Sequence, residues 1–532
     1  MGRALGRRAL TDAERAGAAA DQSPDADMAT LARGGRLNVF GFVLRLAGMV
    51  PFLFIGGRIY GAAALGRFAY AVLAVEFAAQ IAALGLRRGL AQLLANARKP
   101  QSCIVADAML VAAIASAVGT AILVLFPKAM YPTTQVHGMD RLLAITVLAI
   151  SWTDIALAAL AFRDDVAATV RARSIVQPWT ITLVAFGWSY ISLDDGLIIA
   201  YVFSMVAALI AALIPLVRSY GLPHGWKPDL GTSLTTAWRN VPLAAADAVE
   251  WASRRIDLAV LGAFIPAVYV GIYYAAQQVA TLPAKLKTSF EPVLGPAIVR
   301  RLAADDRPGI AKQVRQVTYW IIAAQAGIAL ALGIPGRAVM GLVGSQFTGG
   351  TAMLAFLLAA EVIAAIAVVS EAALIYIART RNMVISLVML ALEAGLAAAL
   401  ILIMRGEGLP LAYQATGPAI ALCVALGFAS ITKSWLLKRK LGEPVSGWRW
   451  SIAWAAAAGV AVGAPARLLL PPLLQLIVGV PAILAAFGAV LWTKGFGPED
   501  RELFRLRKHE VQELRDAEDA ALARDQVEDS IV

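Results

Sequence analysis

The stretch VPLAAADAVEWASRRIDLAVLGAF, residues 241–264, decides the class of this protein. It is long and apolar enough to cross a bilayer, yet it carries ionisable side chains at Asp247, Glu250, Arg254, Arg255 and Asp257. Residues 247, 250, 254 and 257 follow the spacing of one helical face. Because charges at membrane depth are costly and usually face a bundle interior or a watery cavity, this face indicates a polar path through a membrane. The stretch therefore favours a transporter.

The composition of the whole chain agrees with a membrane protein. Of its 532 residues, 59% are hydrophobic and 16% are charged, and the mean hydropathy is +0.70. Soluble proteins are closer to one quarter charged. Apolar runs of about 20 residues recur, which is the length of a membrane-spanning helix. An all-α polytopic membrane fold is predicted, since a helix satisfies its own backbone in lipid.

The net charge of +11 does not require a nucleic-acid partner. Basic loops that face the cytoplasm and anionic lipid explain it better. The two cysteines, Cys103 and Cys423, form no disulfide or metal pattern, and the three histidines are far apart in sequence. No cofactor, no metal and no catalytic residue is therefore predicted.

The apolar runs predict fourteen spans with both termini in the cytoplasm. The predicted cytoplasmic loops, including Arg171, Arg173 and Lys433, hold roughly three times as many basic residues as the outer loops. The last two spans could instead form one re-entrant pair. The predicted spans are 39–59, 65–86, 103–126, 142–162, 174–192, 197–217, 241–263, 268–292, 316–335, 351–377, 383–404, 411–433, 450–470 and 473–493.

An internal repeat organises these spans into two lobes. Residues 56–70 resemble residues 261–275 at an offset of 205, and the same offset pairs Arg45 with Glu250. Since six spans separate the copies, they have parallel orientation, which predicts two six-helix lobes related by a pseudo-two-fold axis. The predicted regions are a disordered cytoplasmic N-tail (1–36), an N-lobe (37–217), a cytoplasmic interlobe loop (218–240), a C-lobe (241–437), spans 13 and 14 (438–493) and a charged cytoplasmic C-tail (494–532).

Several short motifs in this order resemble a known family. They are LGRFAY (65–70), AALGL (82–86), RRIDLAVLGAF (254–264), VGIYYAAQQVA (270–280) and GLVGSQFTGG (341–350). Together they resemble the polysaccharide-transport (Wzx-type oligosaccharide flippase) branch of the multidrug/oligosaccharidyl-lipid/polysaccharide (MOP) exporter superfamily. The resemblance covers most of residues 30–440.

The resemblance implies a function and a location. Members of that branch flip oligosaccharides linked to a polyprenyl pyrophosphate from the cytoplasmic to the outer leaflet of the bacterial inner membrane. The expected partners are thus a lipid-linked oligosaccharide and membrane lipid, with a polysaccharide polymerase and a chain-length regulator as possible protein partners. The polysaccharide could belong to lipopolysaccharide, capsule or exopolysaccharide.

Basic side chains inside the spans are the candidates for binding the anionic substrate. Arg254 and Arg255 come first, because guanidinium groups form bidentate pairs with phosphate oxygens. Arg45 is the corresponding candidate in the first span, and Lys285 and Lys287 are candidates at the cytoplasmic entrance. The alternatives are structural: Arg254 pairing with Glu250, Arg255 pairing with another helix, Arg45 pairing with Glu76 or Glu250, and lysines that reach the headgroups.

Buried carboxylates are the candidates for ion coupling or charge pairing. Their residues are Glu76, Asp154, Asp247, Glu250, Asp257, Glu361, Glu371 and Glu393. They could exchange protons, bind sodium or neutralise the arginines, and the sequence leaves these three roles open.

Two other kinds of transporter compete with this interpretation. A drug/ion antiporter of the same superfamily would share the lobes but would need a cation-accepting cavity. A flippase for the peptidoglycan-precursor lipid is closer, since its substrate is also a polyprenyl pyrophosphate. An enzyme is disfavoured, because the chain has no large outer loop and no phosphate-binding loop.

Overall fold

The structure is a computed structural model that describes residues 44–96, 99–136, 139–163, 165–226, 228 and 230–497. The predicted N-tail and nearly all of the predicted C-tail lie outside these residues. The side chains of Glu250, Lys285 and Lys287 also lie outside the described part, although their backbone is helical.

Most of the described chain is helical, and no β-strand occurs in the ranges given above. Residues Val170–Val176 form a π-helical segment within a longer helix. The helices are α1 (44–60), α2 (Gly61–Ala82), α3 (Leu86–Ala95), α4 (Gln101–Leu125), α5 (Asp140–Phe162), α6 (166–188), α7 (Gly196–Tyr220), α8 (Leu230–Ala252), α9 (Ile256–Phe264), α10 (Ala267–Ala303), α11 (Arg307–Gly333), α12 (Gly336–Val343), α13 (Thr351–Ile377), α14 (Arg379–Gly406), α15 (Gly417–Leu441), α16 (Trp450–Leu469) and α17 (Pro472–Gly495).

Ten helical stretches of the described chain are long and apolar enough to cross a membrane. One of them, Leu44–Ala95, contains the described part of the first predicted span and all of the second. Gly61, with a φ of 86°, separates α1 from α2 within it. The fifth, seventh and eighth predicted spans are not among the ten, but helices α6, α8 with α9, and α10 occupy their positions. The predicted all-α polytopic fold is therefore confirmed.

Helix α6 begins earlier than the predicted fifth span, and this difference affects the site. The fifth span was predicted to begin at residue 174, but α6 begins at Val166. Arg171 and Arg173, predicted to lie in a cytoplasmic loop, are therefore on the helix itself. Two arginines in the first turns lower the local hydropathy, which is why the apolar pattern starts too late.

The chain divides into two compact units. The first holds the residues up to Gln277 together with Met340–Met353 and Leu390–Leu422, and its core packs α3 to α7 around Leu90, Ile155 and Leu160. The second holds Gln278–Val339, Leu354–Met389 and the residues from Cys423, with a core that includes Tyr319 and Leu437. The division into two six-helix lobes stays a prediction.

Within the first unit, two glycines that face each other allow a close crossing of α2 and α10. A Cβ atom on Gly66 would lie 1.8 Å from the carbonyl oxygen of Ala267, and one on Gly271 would lie 2.0 Å from that of Ala62. Gly66 and Gly271 are also matched by the 205-residue repeat. At α1, Thr182 donates a hydrogen bond to the carbonyl oxygen of Gly48 at 2.6 Å, which holds α1 against α6.

Candidate transport site

The charged apolar stretch 241–264 does not form one continuous helix. Helix α8 ends at Ala252, residues 253–255 form a turn, and α9 starts at Ile256. The amides of Arg254 and Arg255 bond to the carbonyls of Trp251 and Ala252 at 3.1 and 3.0 Å. The prediction of a single charged helical face is therefore wrong, because the turn interrupts its periodicity. Broken spanning helices occur in transporters where the chain lines a substrate or ion site.

The turn places Arg255 against a carboxylate from the second predicted span. Arg255 Nη2 lies 3.2 Å from Glu76 Oε2. Tyr201 donates a long hydrogen bond of 3.4 Å to the other oxygen of Glu76. The Arg255 and Glu76 side chains keep 30% and 26% of their surface exposed, so a ligand could still reach the guanidinium.

Arg45 belongs to the same group of charges. Its side chain is exposed in the isolated chain. Arg45 lies within electrostatic range of Arg173, Glu76 and Arg255. The structure thus brings together two of the predicted binding arginines, Arg45 and Arg255, around the predicted carboxylate Glu76.

Arg173 and Asp154 form an ion pair beside this group. Arg173 Nη2 contacts Asp154 Oδ1, and Arg173 Nη1 donates to Gln177 Oε1 at 3.3 Å. Asp154 was predicted as a coupling or pairing carboxylate, but Arg173 was missed as a site residue because its segment was interpreted as a loop.

Of the remaining basic candidates, only Arg254 has a side chain within the described part of the structure. Arg254 lies in the turn with an exposed side chain. Its predicted alternative partner, Glu250, has its side chain outside the described residues, as do Lys285 and Lys287 on α10. The structure therefore tests neither the Glu250 pairing nor the two lysines.

Asp247 lies away from the Arg45–Glu76–Arg255 group and pairs with the short helix α3. Its side chain is almost fully buried, and Arg88 Nε lies 2.5 Å from its Oδ1. Arg87 is at 3.6 Å from the same oxygen. Of the two roles considered for Asp247, this geometry corresponds to charge pairing.

Asp257 and Glu393 form a second polar group in the first unit. Asp257 is buried and accepts hydrogen bonds from Tyr273 Oη at 2.7 Å, Gln277 Nε2 at 3.1 Å and the Leu258 amide at 2.7 Å. Glu393 is 1% exposed, and its Oε2 has no hydrogen-bond partner within the described part of the chain. Glu393 lies within electrostatic range of Asp257. Two neighbouring carboxylates that are both buried in a spanning bundle make this group a candidate functional site.

The second unit contains a separate ionic cluster. Lys433, predicted at the start of a cytoplasmic loop, lies inside α15 and is only 3% exposed. Its ammonium group lies 2.8 Å from Glu371 Oε2 and 3.0 Å from Ser386 Oγ. Asn382 donates to the other Glu371 oxygen at 3.3 Å, which makes Glu371 a charge-pairing residue in this structure. Glu361 is half-buried on α13.

Solved transporters share this fold. The lipid II flippase MurJ in an inward closed conformation matches with a TM-score of 0.63 and 11% identity, over 87% of this chain and 99% of the flippase. An inward-facing multidrug resistance MATE family transporter of the MOP superfamily matches with a TM-score of 0.59 and 12% identity, over 75% of this chain and 98% of the transporter. No protein-family model matches the sequence, and no curated protein matches it.

The class that the fold defines is that of a polytopic membrane protein with the architecture of MOP-superfamily transporters. Identities of 11–12% establish this architecture alone. The substrate has to be argued from the side chains of this chain.

Proposed function

We propose that this protein is a flippase that moves a polyprenyl-pyrophosphate-linked oligosaccharide from the cytoplasmic to the outer leaflet of the inner membrane, for surface polysaccharide synthesis. The observation that supports it most is the pairing of Arg255 with Glu76, beside Arg45, at the break between α8 and α9. A bound pyrophosphate would replace Glu76 as the partner of Arg255, and phosphate accepts bidentate hydrogen bonds from guanidinium.

The charge of this group favours an anionic substrate. A cavity for cationic drugs needs acidic or aromatic side chains to hold the cation, whereas Arg45 and Arg255 would repel it. A guanidinium stays charged in all conditions of interest, so the repulsion does not vanish with pH. This argument favours a flippase over a drug/ion antiporter, although both share the fold.

Ion coupling belongs to the same proposal. Asp257 and Glu393 are the carboxylates whose surroundings suit uptake of a proton or sodium ion, because each is buried and their charges repel. Binding of a cation there would stabilise one conformation of the α8–α9 break, which ends two residues before Asp257. Polymerase and chain-length regulator partners stay predictions from the family resemblance.

Transport by the purified protein tests the proposal. In liposomes, flipping of a fluorescent polyprenyl-pyrophosphate-linked oligosaccharide should fall at least about tenfold for Arg255→Gln, because one charge-assisted contact is lost. Arg218→Gln removes an equal charge from an exposed position at the end of α7 and serves as the matched control. Unchanged flipping by Arg255→Gln and Arg45→Gln would refute a central anion site.

The peptidoglycan-precursor lipid is the second candidate substrate, and the fold match to a lipid II flippase favours it. Both substrates present a pyrophosphate, so the arginines do not distinguish them. Parallel assays with each lipid decide between the two: faster flipping of lipid II would replace the polysaccharide substrate while keeping the pyrophosphate site.

A further inference from the structure

Arg173 is the guanidinium that the proposed substrate site has not used. It lies in the π-helical segment of α6 and pairs with Asp154 on α5. Its side chain is 24% exposed and that of Asp154 is 19% exposed, so the pair is accessible at one edge. The π turn widens the helix and changes the direction of its side chains, a feature common at functional sites.

The packing of α1 against α6 brings Arg173 to the level of Arg45. Tyr60 bonds to the carbonyl of Ala185 and Thr182 to that of Gly48, so the two helices run in the same direction. Gly48 also lies against Pro178. Counting back along each helix from the contact between Gly48 and Pro178, Arg45 lies three residues and Arg173 five residues before it, so both lie within about two helical turns of the same contact.

Tyr201 on α7 also indicates that Arg173 lies near the Arg255–Glu76 pair. Tyr201, which donates a hydrogen bond to Glu76, lies within electrostatic range of both Arg173 and Arg255. Arg173 therefore lies close to the tyrosine that links it with the Arg255–Glu76 pair. Gln177, one turn along α6, accepts from the other terminal nitrogen of Arg173 and limits the rotation of its guanidinium.

The cluster of Arg45, Glu76, Asp154, Arg173 and Arg255 has one more positive charge than negative charges. Arg45, Arg173 and Arg255 carry three positive charges, while Glu76 and Asp154 carry two negative charges. A pyrophosphate diester carries two negative charges, and its oxygens can displace a carboxylate from a guanidinium.

We propose that Arg173 is a third phosphate-binding arginine, which Asp154 holds while the site is empty and releases to the pyrophosphate of the substrate. This inference rests on the proposed function, since it adds a residue to the same site. Asp154 then acts as a competitor of the ligand: it keeps Arg173 oriented, and it weakens binding of an anion that cannot displace it.

The test compares binding of farnesyl pyrophosphate to the full-length protein in nanodiscs, by titration calorimetry at one salt concentration. Arg173→Gln should weaken binding about tenfold, the loss expected for one charged hydrogen-bond donor. Asp154→Asn should tighten binding, because it removes the competing charge and keeps the side-chain shape. Arg171→Gln is the matched control, since Arg171 lies two residues away in the same π segment with an exposed side chain.

The opposite signs of the two effects separate ligand binding from a structural role. If Asp154→Asn weakens binding as much as Arg173→Gln does, the ion pair only holds α5 to α6 and the inference is wrong. If Arg173→Gln binds like Arg171→Gln while Arg255→Gln loses the ligand, the inference fails and the proposed function stands. If Arg45→Gln and Arg255→Gln also bind normally, the proposed function fails as well.

The chemistry of the ligand provides a further check. Farnesyl monophosphate should bind more weakly than the pyrophosphate, and farnesol should show no difference between the wild type and Arg173→Gln. An equal loss for farnesol would mean that Arg173 shapes the apolar part of the site, which contradicts the inference. Arg173→Lys should recover part of the affinity, because a lysine keeps the charge and loses the bidentate geometry.

Discussion

A single methyl group at Gly66 should disturb the first unit more than any other small change on α2. A Cβ atom there would lie 1.8 Å from the Ala267 carbonyl oxygen and 2.5 Å from the Gly271 amide nitrogen. Ordinary contacts of this kind start near 3.4 Å, so the Cβ atom and the Ala267 oxygen would have to separate by about 1.6 Å. The obstructing atoms are backbone, which cannot move aside by changing a rotamer.

The expected size of the effect follows from this separation. Overpacking in a dense core costs about 1–3 kcal/mol, and the upper end applies where only backbone can give way. We expect Gly66→Ala to lower the apparent melting temperature in detergent clearly, and to impair flipping more than its loss of stability explains.

Two matched glycine variants make the test sharp. A Cβ atom on Gly119 would have its nearest neighbour at 3.7 Å, and one on Gly187 would have none within 4 Å, although both lie on helices of the same unit. Gly119→Ala and Gly187→Ala should melt within about 1 °C of the wild type or slightly above it, because alanine favours a helix over glycine. If Gly66→Ala has the same melting temperature as these controls, the close crossing of α2 and α10 is not as described.

Two further predictions concern the ionic groups. Glu371→Gln should destabilise the second unit by about 3 kcal/mol, because the buried ammonium group of Lys433 loses its partner. Lys433→Met should cost only about 1 kcal/mol, because the exposed edge of Glu371 can be hydrated. Equal shifts of the melting temperature in the two variants would contradict this asymmetry. Asp257→Asn and Glu393→Gln should each make flipping insensitive to an imposed proton or sodium gradient while leaving farnesyl pyrophosphate binding within about twofold of wild type; retained gradient dependence in both variants would exclude this pair from coupling.

The sequence was sufficient for the class of fold and for most of the helix positions. Long apolar runs can satisfy their backbone only as spanning helices, so hydropathy places them without tertiary information. It was also sufficient to single out Arg45, Glu76 and Arg255, because a charge inside an apolar run is costly wherever the run lies in the bundle.

The pairing of these charges was decided by the tertiary structure alone. Arg255 meets Glu76 rather than a residue of its own helix, and Arg173 meets Asp154. Such partners depend on the rotation and depth of helices that are distant in sequence, and a local pattern contains neither quantity. The turn at residues 253–255 was also invisible, because the Ser-Arg-Arg sequence there contains no glycine or proline to mark a break. Hydropathy is a property of a segment, whereas a binding site is a property of the packing between segments, and this is why the sequence defined a transporter-like bundle and only the packing assembled its site.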